Sequence, residues 1–330
     1  MAEVILDAIT KSFGQTRAVD NISMHIPDGA FVVMLGPTGA GKTTTLRLIS
    51  GLETLDSGSI QIAGRNVKND PPAQRDVAMV FQQYSLYPHL SVRDNLAFPL
   101  RSPILNTPED EIARKVAKIA EVLQIPHKLD NKATELSGGE MQRVSIGRAL
   151  VRSPSIYLMD EPLSSLDAKL RSDLRIELKR IHAELRSTLL YVTHDQIEAM
   201  TMASHIGVLE AGRLVQYGTP REIYSNPTSV YVASRLGLPR INILPSTLFA
   251  GSHKGPQIGL RPENIQQGDG AEARVIRAEH LGDQTRLHLE LQGHAVTTLA
   301  DPHASYTPDD TIKISPVNPL YFDASGARAL

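Results

Sequence analysis

Eight residues constrain the fold of this chain more than any others: Gly36-Pro37-Thr38-Gly39-Ala40-Gly41-Lys42-Thr43, which fit the pattern G-x-x-x-x-G-K-[ST]. The continuous apolar run Phe31-Val32-Val33-Met34-Leu35 leads into them and predicts a strand buried on both faces, and a helix is expected over residues 42–50. Such a turn lets glycine backbone N–H groups converge on phosphate oxygens, and the helix N-terminus behind it adds a positive dipole. Lys42 then reaches terminal phosphates and Thr43 can bind magnesium. At average residue frequencies a chance match in a chain of this length has a probability of about 1%, and the strand-turn-helix context lowers it further.

Two more strand-like runs end in chemistry. Ile156 to Met159 runs into Asp160-Glu161-Pro162, and Leu189 to Val192 runs into Thr193-His194-Asp195. Three buried strands with reactive side chains at their carboxyl ends form the pattern of an open parallel α/β sheet. By themselves Asp160 and Glu161 could cap a following helix. Beside a phosphate loop, Asp160 would hold magnesium and Glu161 would polarise the attacking water as general base. Of the 11 histidines, His194 stands apart because it closes a buried strand, where a side chain could reach a γ-phosphate. Thr107-Pro108-Glu109 marks a helix start with Thr as the cap and Pro in the first turn, followed by the apolar face Ile112, Val116, Ile119 and Leu123. Leu136-Ser137-Gly138-Gly139-Glu140 is a second glycine-rich helix start, either an ordinary capped turn or a second anion site. One triphosphate between two such elements requires a folded-over cleft or two chains sharing nucleotides.

Composition excludes other classes. Lys plus Arg number 34 against 36 Asp plus Glu, a net charge of −2, so there is no overall pull toward nucleic acid or an anionic membrane. With no cysteine, disulfides, thiolate metal sites and Cys nucleophiles are impossible. The longest stretch free of Asp, Glu, Lys and Arg, Val77 to Val92, contains Gln82, Gln83, Pro88 and His89 and is too short and polar to span a membrane. Glu3 and Asp7 occupy the places where a signal peptide would be basic or apolar. A cytoplasmic protein is expected, with any membrane role exercised through a partner. Beyond residue 235 Gly and Pro punctuate the chain, and alternation such as Thr285-Arg286-Leu287-His288-Leu289-Glu290-Leu291 predicts antiparallel strands.

Together these motifs resemble, in order and spacing, the ATP-binding subunits of ABC transporters. Gly36–Thr43 matches the Walker A motif, Ile156–Glu161 the Walker B motif and Leu136–Glu140 the signature, while Gln82 falls at the Q-loop, Ser164-Ser165-Leu166-Asp167 at the D-loop and His194 at the switch histidine. The resemblance implies an α/β P-loop NTPase cassette over 1–235 with a helical subdomain at about 85–155, then a small all-β, OB-like or TOBE domain over 236–330. It implies ATP and Mg2+, with Glu161, His194, Gln82 and Lys42 catalytic and Thr43, Gln82 and Asp160 around the metal. Nucleotide contacts would come from Phe13, at the adenine-stacking position, from Gly36 through Thr44, and from Ser137, Gly138, Gly139 and Asp167. It further implies a head-to-tail homodimer in which one subunit's Walker A and the other's signature enclose each ATP. Two departures stand out: Glu140 where Gln is commonest, a change that can tune affinity and is expected to leave the Ser137 and Gly139 donors intact, and Ser165 where Ala is usual, expected to be silent.

The stretch Asn69-Asp70-Pro71-Pro72, Arg75 through Gln82, and Tyr84 through Val92 is similar to carbohydrate importers of the maltose, trehalose and glycerol-phosphate type. Gly259-Leu260-Arg261-Pro262-Glu263 resembles an element of the C-terminal β-domain shared with polyamine, iron and sulfate importers, so the tail does not choose the solute. The implied partners are two integral membrane permeases, which would dock on a groove lined by Tyr84, Leu86, Tyr87 and His89, and, indirectly, an extracytoplasmic solute-binding protein. No nucleic acid is implied. Soluble ABC ATPases of translation or DNA repair usually carry two cassettes or a long coiled coil, and neither is present.

Overall fold

The computed structural model describes residues 2–103, 105–251 and 254–329. Two units result, Met1–Pro220 and Arg221–Leu330. In the first, strands β1 (Val4–Phe13) and β2 (Thr16–Ile26) form a hairpin, β3 (Phe31–Leu35) leads into helix α1 (Lys42–Ser50), and β4 (Ser57–Ile62), β5 (Arg65–Asn66) and β6 (Val77–Val80) follow. Helices α2 (Val92–Ala97), α3 (Glu109–Val122) and α4 (Gly138–Leu150) come next. The unit continues with β7 (Ile156–Asp160), α5 (Ala168–Leu185), β8 (Thr188–Thr193), α6 (Gln196–Met202), β9 (His205–Glu210) and β10 (Arg213–Gly218).

The three apolar runs are strands whose residues are all buried, as two-sided burial in a helix-covered parallel sheet demands. Their sheet has the order β10-β9-β3-β8-β7-β6, parallel throughout except for β10, which runs antiparallel to β9. Strand β8 lies between β3 and β7, so that Leu35 is level with Thr193 and Asp160 with Val192. All three chemistry-bearing turns therefore leave the same edge on adjacent strands. A second, antiparallel sheet, β2-β1-β4-β5, packs Val4, Leu6, Ile9, Ile22 and Ile60 into one core with Met34 and with Leu46 and Ile49 of α1.

Helix ends show where local signals gave way. At α3 the cap position belongs to Pro108, with no side-chain cap, so Thr107 is not the predicted cap and the helix begins one residue later than expected. Glu109, Asp110 and Glu111 occupy its first turn and favour its positive end instead. At α1 the C-terminal carbonyls of Leu48 and Ile49 accept from Arg75 Nη1 at 2.7 and 3.0 Å, a buried guanidinium that ties the strand-to-helix unit to the segment before β6.

The second unit contains most of α7 (Pro220–Ser225), then α8 (Val230–Ala233) and strands β11 (Asn242–Pro245), β12 (Gln257–Leu260), β13 (Ile265–His280), β14 (Thr285–Leu291), β15 (His294–Ala300), β16 (Thr311–Pro316), β17 (Leu320–Phe322) and β18 (Arg328–Ala329). They form two four-stranded antiparallel sheets, β11-β12-β17-β18 and β15-β14-β13-β16. The alternation of β14 is that of the sequence, with Leu287, Leu289 and Leu291 turned into a core shared with Val275, Val296 and Ile314.

Arg261 explains the Gly259–Glu263 element. Its side chain is buried, stacks 3.9 Å from the Tyr224 ring, and donates to the carbonyls of Ala233 (3.0 Å), Tyr224 (3.1 Å) and Leu236. Glu263 in turn accepts from the Tyr224 hydroxyl at 2.5 Å. The element is thus a clasp that satisfies the last carbonyl of α8, a carbonyl in the last turn of α7 and one in the segment after α8. Arg261→Ala is expected to destabilise this unit by roughly 3 kcal/mol, because buried carbonyls lose their donor. Thermal unfolding checks it, and Arg261→Lys should recover little, since an ammonium lacks the planar fork.

Candidate functional site

The phosphate loop is built for close backbone approach. Gly41 has φ 94°, and a Cβ there would lie 2.3 Å from the Ala18 carbonyl oxygen, so no other residue fits. Lys42 begins α1, buried, and its Nζ donates to the loop's own carbonyls at Gly36 (2.9 Å) and Pro37 (3.0 Å). Burial pushes its ammonium below the usual lysine range, against the opposing pull of Glu161 and Asp160.

Across the loop, Thr43 Oγ1 donates to Asp160 Oδ1 at 3.0 Å, and Asp160 is only 3% exposed. Burial raises the Asp160 carboxyl above the ordinary range, opposed most by the hydrogen bond from Thr43. Glu161 holds a left-handed backbone, φ 45°, a costly conformation for a non-glycine residue, fixed here by its N–H donating to Val192 O at 3.0 Å. Its carboxylate lies between two bases, with Oε1 3.7 Å from Lys42 Nζ and Oε2 3.1 Å from His194 Nδ1. Neither acid caps the next helix, whose N-terminus is capped by Asp167 accepting from Leu170 N–H at 2.9 Å.

Walker A, Walker B and the Q-loop meet in one cleft of about 520 Å³, lined among others by Arg17, Thr38, Gly39, Thr43, Gln82 and Glu161. Thr44 and Lys42 also line it, and His194 joins through Glu161. Thr43, Asp160 and Gln82 offer hard oxygen donors, the set that suits Mg2+ held jointly with substrate phosphates. Ser137, Gly138, Gly139, Asp167 and Phe13 are not among the lining residues. Phe13 is 49% exposed at the end of β1, with the Lys11 ammonium 5.3 Å from its ring, and so is not a core residue.

The signature turn corrects one expectation. Ser137 caps α4, and its N–H and Oγ–H both reach Glu140 Oε2, at 2.8 and 2.9 Å, so the Ser137 hydroxyl is not left free by the departure at Glu140. Ser165 donates to Gln142 Oε1 at 3.4 Å.

Sequence reasoning missed Glu198. Its buried carboxylate accepts from Tyr191 (2.9 Å) and Thr193 (2.6 Å) hydroxyls, pinning the end of β8 from which His194 projects. In sequence it is an ordinary first-turn acid, and only the packing of α6 on β8 buries it. A second cleft, of about 570 Å³, was missed too; Phe98, Pro99, Arg101, Ser102, Pro103 and Leu105 line it. Tyr84, Leu86 and Tyr87 are half-buried and His89 is exposed, but none lines this groove. Tyr87 instead packs its ring 4.4 Å from Phe98, with its backbone N–H and carbonyl held by Asn95 at 2.9 and 3.1 Å.

Comparison with known proteins is consistent with this geometry. Residues 19–164 match the ABC transporter family model and residues 258–318 the TOBE domain. The chain is 43% identical to an sn-glycerol-3-phosphate import ATP-binding protein of Brucella abortus, over 99% of each chain. It is 39% identical to the sulfoquinovosyl glycerol transport ATP-binding protein of Agrobacterium fabrum over the whole of both. Among solved structures it is similar to the dimeric ABC transporter cassette MJ0796, with a TM-score of 0.61 and 28% identity over 66% of this chain and 99% of that one. The same cassette in a post-hydrolysis state, bound to ADP and Pi, gives a TM-score of 0.60 at 29% identity over the same shares. This chain therefore belongs to the ABC transporter family, as an ATP-binding and ATP-hydrolysing cassette subunit with a TOBE domain at its C-terminal end.

Proposed function

We propose that this subunit couples hydrolysis of MgATP to the uptake of a carbohydrate or polyol phosphate through two membrane permeases, held by them at the cytoplasmic face and supplied by an extracytoplasmic binding protein. The observation that carries the chemistry is the convergence of Lys42 and His194 on the Glu161 carboxylate at the mouth of the phosphate loop. The arriving triphosphate takes the place of the Gly36 and Pro37 carbonyls at Lys42 Nζ. Glu161, released from Lys42, accepts the proton of the attacking water. His194 holds the other carboxylate oxygen and keeps the base aimed at the γ-phosphate. Thr43, Gln82 and Asp160 would hold Mg2+, which would supply charge neutralisation at the phosphates when bound.

The solute class rests on the names of the relatives and on the residues around Tyr84–His89, and the permeases and the extracytoplasmic binding protein rather than this chain select the solute. Phosphate release from MgATP by the full chain tests the enzymatic half. Uptake of sn-glycerol 3-phosphate, a sulfoquinovosyl glycerol and maltose into vesicles bearing the cognate permeases tests the other. Uptake of polyamine, iron or sulfate instead would overturn the assignment of solute class.

The groove with Phe98 and Leu105, 49% and 42% exposed, supports a docking surface for the permease, because exposed apolar lining of this kind marks interaction sites. Leu105→Asp is expected to leave folding and ATP hydrolysis intact and to weaken co-purification with the permeases about tenfold or more, the usual cost of a charge in an apolar contact. Full complex formation would move the docking surface elsewhere.

A further inference from the structure

We propose that Lys128 and Glu140 act as a pair that sets how strongly the signature turn of one subunit takes up the triphosphate lodged in its partner, an inference resting on a nucleotide site shared between subunits. An ionised carboxylate has no hydrogen to give, so in the 2.9 Å contact between Ser137 Oγ and Glu140 Oε2 the hydroxyl is the donor. That hydroxyl has one hydrogen, and it is committed within its own chain. A glutamine at this position brings a donor as well as an acceptor: turned so that its amide nitrogen donates to Oγ while its oxygen accepts the Ser137 N–H, it leaves the hydroxyl hydrogen for a phosphate, an arrangement no carboxylate can adopt. Glu140 therefore works against an incoming triphosphate twice, by withholding a donor and by placing like charge in the first turn of the helix.

Lys128 offsets the second effect. It closes the short 3₁₀ turn Pro126–Lys128, and its Nζ lies 3.1 Å from Glu140 Oε1, the oxygen that Ser137 does not use. A cation at the positive end of a helix is unfavourable by itself, and the carboxylate accounts for its place there. Both side chains are mostly shielded, at 28% and 19% exposure, so the attraction is screened less than in an open surface pair. The Ser137 amide, more than any other group, holds the Glu140 carboxyl down to about 2, which keeps the carboxylate charged under all working conditions.

The test is a double-mutant cycle in the full chain carrying Glu161→Gln to slow hydrolysis. The MgATP concentration for half-maximal dimerisation is read by sedimentation. Glu140→Gln should lower it about fivefold or more, the scale of one regained hydrogen bond. Lys128→Met should raise it about threefold when Glu140 is present and hardly at all when Glu140→Gln is present, since only the carboxylate needs the counter-charge. No shift with Glu140→Gln, or an equal effect of Lys128→Met in both backgrounds, would overturn the pair's role while leaving the shared site standing. Loss of melting temperature without nucleotide, with an unmoved MgATP requirement, would make the pair merely structural. If Glu161→Gln alone never dimerises with MgATP, the shared site fails and takes this proposal with it.

Discussion

Glu161→Gln is expected to bind MgATP at least as well as the native chain and to release phosphate about 100-fold more slowly or worse, the scale of a lost general base. The reason lies in what the substitution keeps. Glutamine is the same size and can still bond His194 Nδ1, now at 3.1 Å from the carboxylate, and it inherits a backbone already held at φ 45° by the Val192 carbonyl. Only the negative charge is lost, and with it both the acceptor for water's proton and the ion pair that occupies Lys42 at 3.7 Å. Lys42 is then freer to meet a phosphate. Native turnover in this variant would remove Glu161 from the chemistry. His194→Ala should also depress turnover more than binding, because it removes the partner that orients the Glu161 carboxylate.

The second large effect concerns where the nucleotide lies. The cleft holding the phosphate loop has no lining from Ser137–Gly139, which favours a nucleotide shared between two chains over a cleft folded within one. Lys42→Ala disables the loop, and Ser137→Arg fills the signature turn with a long side chain. Neither homodimer should trap nucleotide. A mixed dimer of the two, with subunits carrying different tags, places both lesions in one shared site and leaves the other intact. It should trap about one MgATP per dimer, half the native load if the sites are independent. Trapping no better than either parent, while native dimers trap normally, would count against a shared site. Trapping is the better readout, because turnover can require both sites to fill.

Much of this was legible in the sequence, for a physical reason. The phosphate loop, the strands at Phe31–Leu35, Ile156–Asp160 and Thr188–Thr193, and the alternation of Thr285–Leu291 are local patterns, written in side-chain periodicity and in glycines that only one backbone path tolerates. Those patterns identified Lys42, Thr43, Asp160, Glu161 and His194 as candidates before any fold was known. They could not order the strands. That β8 enters between β3 and β7, so that three distant turns share one edge, is decided by long-range pairing, which leaves no periodic trace along the chain.

The same limit explains the residues that were missed. Arg75, Glu198 and Arg261 are charged side chains that composition assigns to the surface, yet each is buried because its polar atoms meet backbone carbonyls or hydroxyls brought together from separate segments. Thr107 looked like a cap, but Pro108 keeps an extended backbone, ψ 145°, so the helix begins after it at Glu109. Glu140 read as a departure that left the Ser137 donor intact, and only the folded capping turn reveals which group takes the Ser137 hydrogen. The sequence alone determined the two kinds of unit and the chemistry at the strand ends, since both follow from neighbours along the chain. The tertiary structure alone decided the strand order, the buried charges and the hydrogen-bond partner at the signature turn, since each depends on groups that only folding brings within reach.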